Sequence, residues 1–98
     1  MIGIGATLFM LASFYGPGFN GNLTASGTRF NQYAATAAHK SLPFGTQLSV
    51  CYQTCELVTI TDRGPFIGAR ELDLSLGTAQ RIGMYDVGVA DVKVTRLN

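Results

Sequence analysis

The chain has 98 residues, 47% of them hydrophobic, which suffices for one compact domain with a modest core and leaves no room for a second. Seven Lys or Arg stand against six Asp or Glu, a formal net charge of +1 that excludes a polyanion-coating protein, since nucleic-acid binders carry a basic excess or stripe. Twelve glycines with four tyrosines and six phenylalanines favour a turn-rich, all-β domain over a helical one.

The opening run MIGIGATLFMLA is apolar but well short of the roughly 20 residues a membrane helix needs, so no stable membrane span is expected. Its length suits a signal-peptide core ending near Leu11-Ala12-Ser13, yet no Lys or Arg precedes it. The expectation is an apolar leader or leader remnant over residues 1–11, its end running into the first strand, and a single domain over 12–98.

Strand-like segments follow at 8–15, 34–38, 46–52, 56–61, 70–74 and 87–95. The last alternates from Val87 through Val89, Val92 and Val94 with one slip near Ala90, the mark of a bulge or of loose edge pairing. Turn signals separate them, among them Gly16-Pro17-Gly18, Asn20-Gly21-Asn22 and Arg63-Gly64-Pro65. One short helix is predicted over 76–82, with Ser75 as N-cap, Leu76, Ala79 and Ile82 on one face, and Gly83 just past its end. Six strands and a helix in so short a chain predict a small closed barrel, which leaves no strand edge exposed.

Cys51 and Cys55 flank Tyr52-Gln53-Thr54 between two strands. A three-residue hairpin loop brings such side chains face to face, so a disulfide worth about 2 kcal/mol is expected, and with it an oxidising, extracytoplasmic compartment. Two free thiols in a cytosolic protein is the other possibility. A zinc site would want four ligands, and His39 is the one other soft ligand, so neither metal nor cofactor is expected.

The polar residues able to do chemistry are few. Glu56, Glu71, Asp86 and Asp91 suit a solvated surface. Asp62 follows Val58 and Ile60, and Asp73 lies between Leu72 and Leu74, so both stand among apolar neighbours. Partial burial raises a carboxylic pKa, and a second carboxylate nearby raises one of the pair further, which would keep a proton available near neutral pH. Each also has a structural reading: an Asx-type turn over Gly64-Pro65 for Asp62, and a cap before Ser75 for Asp73. His39, the sole histidine, sits in TAAHKSLPFG and is either a satisfied structural residue or part of a site. The chain holds neither a G-x-S-x-G elbow nor a phosphate-binding Gly-Lys-Ser/Thr.

Three ordered blocks, ASFYGPGFNGNLTASGTRF (12–30), TAAHKSLPFGTQLSV (36–50) and VTITDRGPFIGARELDLSLGTAQRIGM (58–84), resemble the rare lipoprotein A family. The resemblance implies a six-stranded double-psi β-barrel, the fold that also underlies expansins, with one or two short helices and a surface groove for polysaccharide. It implies His39 and Asp62 as active-site residues and Asp73 as a second groove acid, with Tyr15 and Thr24 lining the same groove. Several bacterial members are lytic transglycosylases acting on peptide-free peptidoglycan strands.

Such an enzyme cleaves the β-1,4 bond between N-acetylmuramic acid and N-acetylglucosamine without water, the muramic 6-hydroxyl attacking its own anomeric carbon to leave a 1,6-anhydro end. Because the nucleophile belongs to the substrate, one acid suffices, and its conjugate base takes the hydroxyl proton. On this reading Asp62 is the acid, His39 orients it or bonds the sugar, and Asp73 helps hold the proton. Lys40 and Ser41 add donors, and Arg63 and Lys40 hold lactyl carboxylates by charge-assisted bonds. Arg63 would depress the acid if its cation met Asp62, whereas alternation would send the two to opposite faces. The expected partner is a glycan strand and the expected state a monomer. No lipobox cysteine precedes the barrel and no peptidoglycan-binding SPOR repeat follows it, so neither a lipid anchor nor septal targeting by that route is expected. The alternative function is an expansin-like module that binds polysaccharide and loosens walls without cutting.

Overall fold

The computed structural model describes residues 2–98. Six strands close into a barrel: β1 (Thr7–Tyr15), β2 (Thr36–His39), β3 (Gln47–Cys51), β4 (Cys55–Asp62), β5 (Leu72–Ser75) and β6 (Ala90–Arg96). A single α-helix, α1 (Leu76–Ile82), follows β5, and a short 3₁₀ turn, Pro17–Phe19, follows β1. Around the barrel the order is β1-β5-β2-β4-β3-β6. The β1/β5 and β2/β4 pairs are parallel and the other pairs antiparallel.

Alternation builds the core. Leu48 and Val50 of β3, Val58 and Ile60 of β4, Leu72 and Leu74 of β5, and Val92 and Val94 of β6 all turn inward and are fully buried. Residues 7–11, grouped with an apolar leader on sequence grounds, here form the first half of β1 and pair with β6, Leu8 opposite Val94 and Met10 opposite Val92.

Helix α1 forms over the predicted residues, and both of its ends are satisfied locally. The Ser75 hydroxyl accepts from Thr78 N at 3.2 Å, and Gly83, at φ 86°, donates to the Ala79 and Gln80 carbonyls. The expected disulfide joins Cys51 and Cys55 across the β3–β4 hairpin. The hairpin tip then docks on the helix: Gln53 N and Thr54 N donate to the Ile82 carbonyl, and the Thr54 hydroxyl to that of Arg81. Glu56 leaves the solvated role read for it. Its carboxylate takes Arg81 Nε at 2.6 Å and Arg81 Nη2 at 2.9 Å in a forked pair, with Thr78 Oγ1 at 2.8 Å, and this pairing holds its pKa below the ordinary value.

The starts of three strands differ from the expected ones by two residues or more. Residues 87–89 are a turn in which Val87 N and Gly88 N both bond the Met84 carbonyl, so the slip in alternation near Ala90 is where β6 begins. Ala34 closes a turn onto the Asn31 carbonyl and β2 starts at Thr36. Arg70 and Glu71 precede β5, Arg70 N closing a turn onto the Ile67 carbonyl.

Candidate active site

Strand register assembles the site. Ser13 on β1 lies opposite Asp73 on β5, Asp73 opposite Ala38 on β2, and Ala38 opposite Asp62 on β4. Cross-strand neighbours project to the same side, so these four residues form one row across four strands, outside the core. The methyl of Ala38 keeps the floor low between two carboxylates.

Asp62 reaches this row because of an irregularity. Val58 and Ile60 point inward, and strict alternation would send residue 62 inward as well. Between Ala37 and Ala38 the β2–β4 register shifts, Ala37 facing Ile60 and Ala38 facing Asp62, so that one residue of β4 is skipped. A bulge of this kind re-aims the side chain beyond it, here from the core to the surface.

The row forms the floor of an open cleft of about 440 Å³ whose lining includes Tyr15, Phe19, Phe66 and Arg70 as well as the two acids. Asp62 Oδ1 accepts two backbone N–H groups, from Ala25 and from Arg63, each at 2.9 Å. The Arg63 bond is to the adjacent residue's amide, not the i+2 bond of the Asx-type turn expected over Gly64-Pro65, and Asp62 makes it while lining the cleft. Asp73 accepts from the Ser13 hydroxyl at 3.1 Å. Burial pushes the Asp73 pKa up, the Ser13 bond and the Arg70 charge oppose the rise, and the Asp62 charge adds to it. Tyr15 stacks on Phe30 with ring centroids 4.4 Å apart. Its hydroxyl lies close enough to both acids that burial, then the charges of Asp62 and Asp73, push its pKa up. Among the described residues that buried hydroxyl meets no partner at good hydrogen-bond geometry, so its relation to Asp62 is proximity rather than a formed bond.

The Arg63 guanidinium turns away from the Asp62 carboxylate. It donates to the Leu42 carbonyl at 2.8 Å and to the His39 carbonyl at 3.3 Å, and lies 4.0 Å over the Phe44 ring. The separation of Asp62 and Arg63 anticipated from alternation is present, but the guanidinium expected to grip substrate is engaged by the fold.

His39, one position beyond Ala38, faces elsewhere for the same alternation reason. With Lys40, Ser41 and Glu71 it lines a second cavity of about 390 Å³, and its ring bonds neither acid. Its Nδ1 accepts from Ser41 N at 3.1 Å and Leu42 N at 3.0 Å, which fixes the ring as the Nε2–H tautomer. Burial lowers its pKa, opposed by the Glu71 charge and assisted by Arg63 and Lys40. His39 therefore ties the 39–42 turn, whose His39 and Leu42 carbonyls hold Arg63.

Thr24 likewise lies behind the cleft wall. Its hydroxyl donates to the Thr28 carbonyl at 2.9 Å and closes the turn that presents Ala25 N to Asp62. Sequence reasoning missed Ser13, Ala38, Phe19, Phe66 and Arg70. The spacing of Ser13 two residues before Tyr15 was the available signal for the first; the others carried none.

A family model described as "Lytic transglycolase" matches residues 8–94. The chain belongs to this family. Among curated members it is 53% identical over 85 residues to the probable endolytic peptidoglycan transglycosylase RlpA of Synechocystis, a match covering 84% of this chain and 26% of that protein. It is 43% identical over 97 residues to the endolytic peptidoglycan transglycosylase RlpA of Campylobacter jejuni, covering 96% and 35%. The chain thus spans about a quarter to a third of the length of these relatives. The Streptomyces papain inhibitor superimposes over the whole of both chains with a TM-score of 0.78 at 19% identity. A Clavibacter michiganensis expansin variant in complex with cellohexaose superimposes over 95% of this chain and 51% of its own, with a TM-score of 0.77 at 16% identity. These likenesses mark the transglycolase-family barrel as the expected double-psi β-barrel.

Among the described residues no helix is long and apolar enough to cross a membrane, and no group of His, Cys, Asp and Glu is arranged to hold a metal ion.

Proposed function

We propose that the domain is a peptidoglycan lytic transglycosylase cleaving the bond between N-acetylmuramic acid and N-acetylglucosamine in peptide-free strands. The observation that carries this is the row Asp62-Ala38-Asp73 on the cleft floor: two carboxyls, differently solvated, flanking a surface flat enough for a sugar. The names of the curated relatives supply the substrate class. Asp62 exchanges protons with the substrate. Its Oδ1 is anchored by two amides, and among the described residues no backbone donor reaches Oδ2. Asp73, whose pKa burial raises, holds a proton more readily than an ordinary carboxyl and lies across Ala38 from Asp62.

In the reaction a carboxyl proton passes to the glycosidic oxygen as its bond to the muramic C1 breaks. The C6 hydroxyl of the same sugar bonds to C1, and its proton goes to the carboxylate left behind. Protons balance and no water is consumed, so the pair needs no water-activating geometry. Tyr15 shapes the wall beside Asp62, Thr24 and Ser41 act through the turns they help form, and His39 holds the turn that keeps Arg63 off the acid. The disulfide and the substrate class both support action outside the cytoplasm.

Digestion of peptide-free glycan strands, followed by mass spectrometry, tests the proposal. Products ending in 1,6-anhydromuramic acid are expected, and Asp62→Asn should abolish them. Hydrated reducing ends would mean a hydrolase; co-sedimentation without cleavage would mean a binding module.

A further inference from the structure

The expectation that Arg63 and Lys40 hold substrate carboxylates meets two obstacles, since Arg63 is engaged by carbonyls and a ring while Lys40 lies at the second cavity. Arg29 donates to the Gly21 carbonyl, Arg81 to Glu56, and Arg96 to the carbonyls of Ile2 and Asn98. Among the described residues the Arg70 guanidinium alone of the arginines makes no hydrogen bond, and it lines the cleft that holds both acids. Its backbone N closes a turn onto the Ile67 carbonyl, so its Cα is fixed just before β5. The cleft therefore contains one uncommitted planar cation, held beside two carboxyls that it does not bond. Asp73 takes its bond from Ser13 instead.

We propose that Arg70 reads a free carboxylate on the bound glycan and makes the cleft selective for muramic residues whose lactyl carboxyl carries no peptide. This rests on the transglycosylase reading and adds to it the group that recognises the stripped strand. A guanidinium binds a carboxylate through two parallel N–H···O bonds, and an amide offers neither the charge nor the second acceptor oxygen. The lactyl group hangs from C3 of the ring whose C1 reacts, so its carboxylate lies only a few bonds from the reacting carbon, in the same cleft that Arg70 and Asp62 line. Attachment of a stem peptide turns that carboxylate into an amide and removes what Arg70 recognises. Exclusion of stem-bearing strands then follows from lost attraction at one residue, in addition to bulk.

The test compares binding of two probes to the Asp62→Asn protein: peptide-free glycan strands, and the same strands with their lactyl carboxyls converted to methylamides. The unmodified strands should bind roughly 10- to 100-fold more tightly, the range of a charge-assisted bond. Adding Arg70→Gln should erase that ratio by weakening binding to the unmodified strands alone, and Arg70→Lys should restore part of it. A preference that survives Arg70→Gln, equal binding of both probes before the change, or binding of neither would each overturn the assignment. Cleavage by the protein with Asp62 intact is scored separately. Strands bound with the preference but never cut would sink the transglycosylase and leave Arg70 as a carboxylate reader; strands cut without preference would do the reverse.

Discussion

Replacing His39 with Ala removes an acceptor that two backbone amides share. Ser41 N lies near solvent and finds water, at a loss of well under about 1 kcal/mol. Leu42 N is part-buried beside a fully buried side chain, and orphaning it costs about 1–3 kcal/mol. The total, about 1–3 kcal/mol and dominated by Leu42 N, should lower the melting temperature of a domain this size by roughly 5–25 °C. The loss extends to function, because the loosened turn carries the Leu42 carbonyl that holds Arg63, and a released guanidinium can swing to the Asp62 carboxylate. His39→Asn separates this account from proton chemistry by the imidazole, since an Asn Oδ1 can accept the same two amides. Thermal denaturation together with release of anhydro ends should show His39→Ala unstable and nearly inactive, and His39→Asn recovering most of both. A stable but inactive His39→Asn would refute the reasoning and put the ring itself in the reaction. The sign of the pH dependence agrees: the folded pKa lies below the unfolded value of 6.5, so the stability His39 contributes is present above 6.5 and lost as pH falls through the folded pKa. The charges of Glu71, which opposes the lowering, and of Arg63 and Lys40, which add to it, set where that loss falls.

Two further outcomes bear on the site and its support. Ser13→Ala removes the hydroxyl that favours ionised Asp73, so the Asp73 pKa should rise further, as carboxyl NMR titration would show. Its stability deficit, about 1–2 kcal/mol, should be present at neutral pH and close as pH falls below the Asp73 titration; a deficit independent of pH would break the assignment. Gly77→Ala would set a Cβ 2.8 Å from the Tyr33 Cα and carbonyl oxygen, backbone atoms that cannot step aside cheaply. Strain of about 1–3 kcal/mol should outweigh the roughly 1 kcal/mol gained in helix propensity, leaving a lower denaturation midpoint rather than a higher one.

What the amino-acid sequence determined by itself is what depends on near neighbours. Ser75, Gly83 and the apolar face between them define α1 because capping and periodicity act within one or two turns. The Cys51–Cys55 spacing foretold the bridge because a hairpin loop is a local object, and alternation in the last strand picked out Val92 and Val94, which are buried. Tertiary structure decided the site. Ser13, Ala38, Asp62 and Asp73 come from four strands and meet only through register, and Asp62 joins them because a bulge reverses the side that alternation assigns to it. His39 and Ala38 are adjacent in the chain yet serve different cavities. Arg63 and Arg70 are alike as residues, and only the packed fold commits the first to carbonyls and a ring while leaving the second free over the cleft. Propensity and spacing are read along the chain, whereas a row across strands is a sum of long-range pairings in which one skipped residue changes the face.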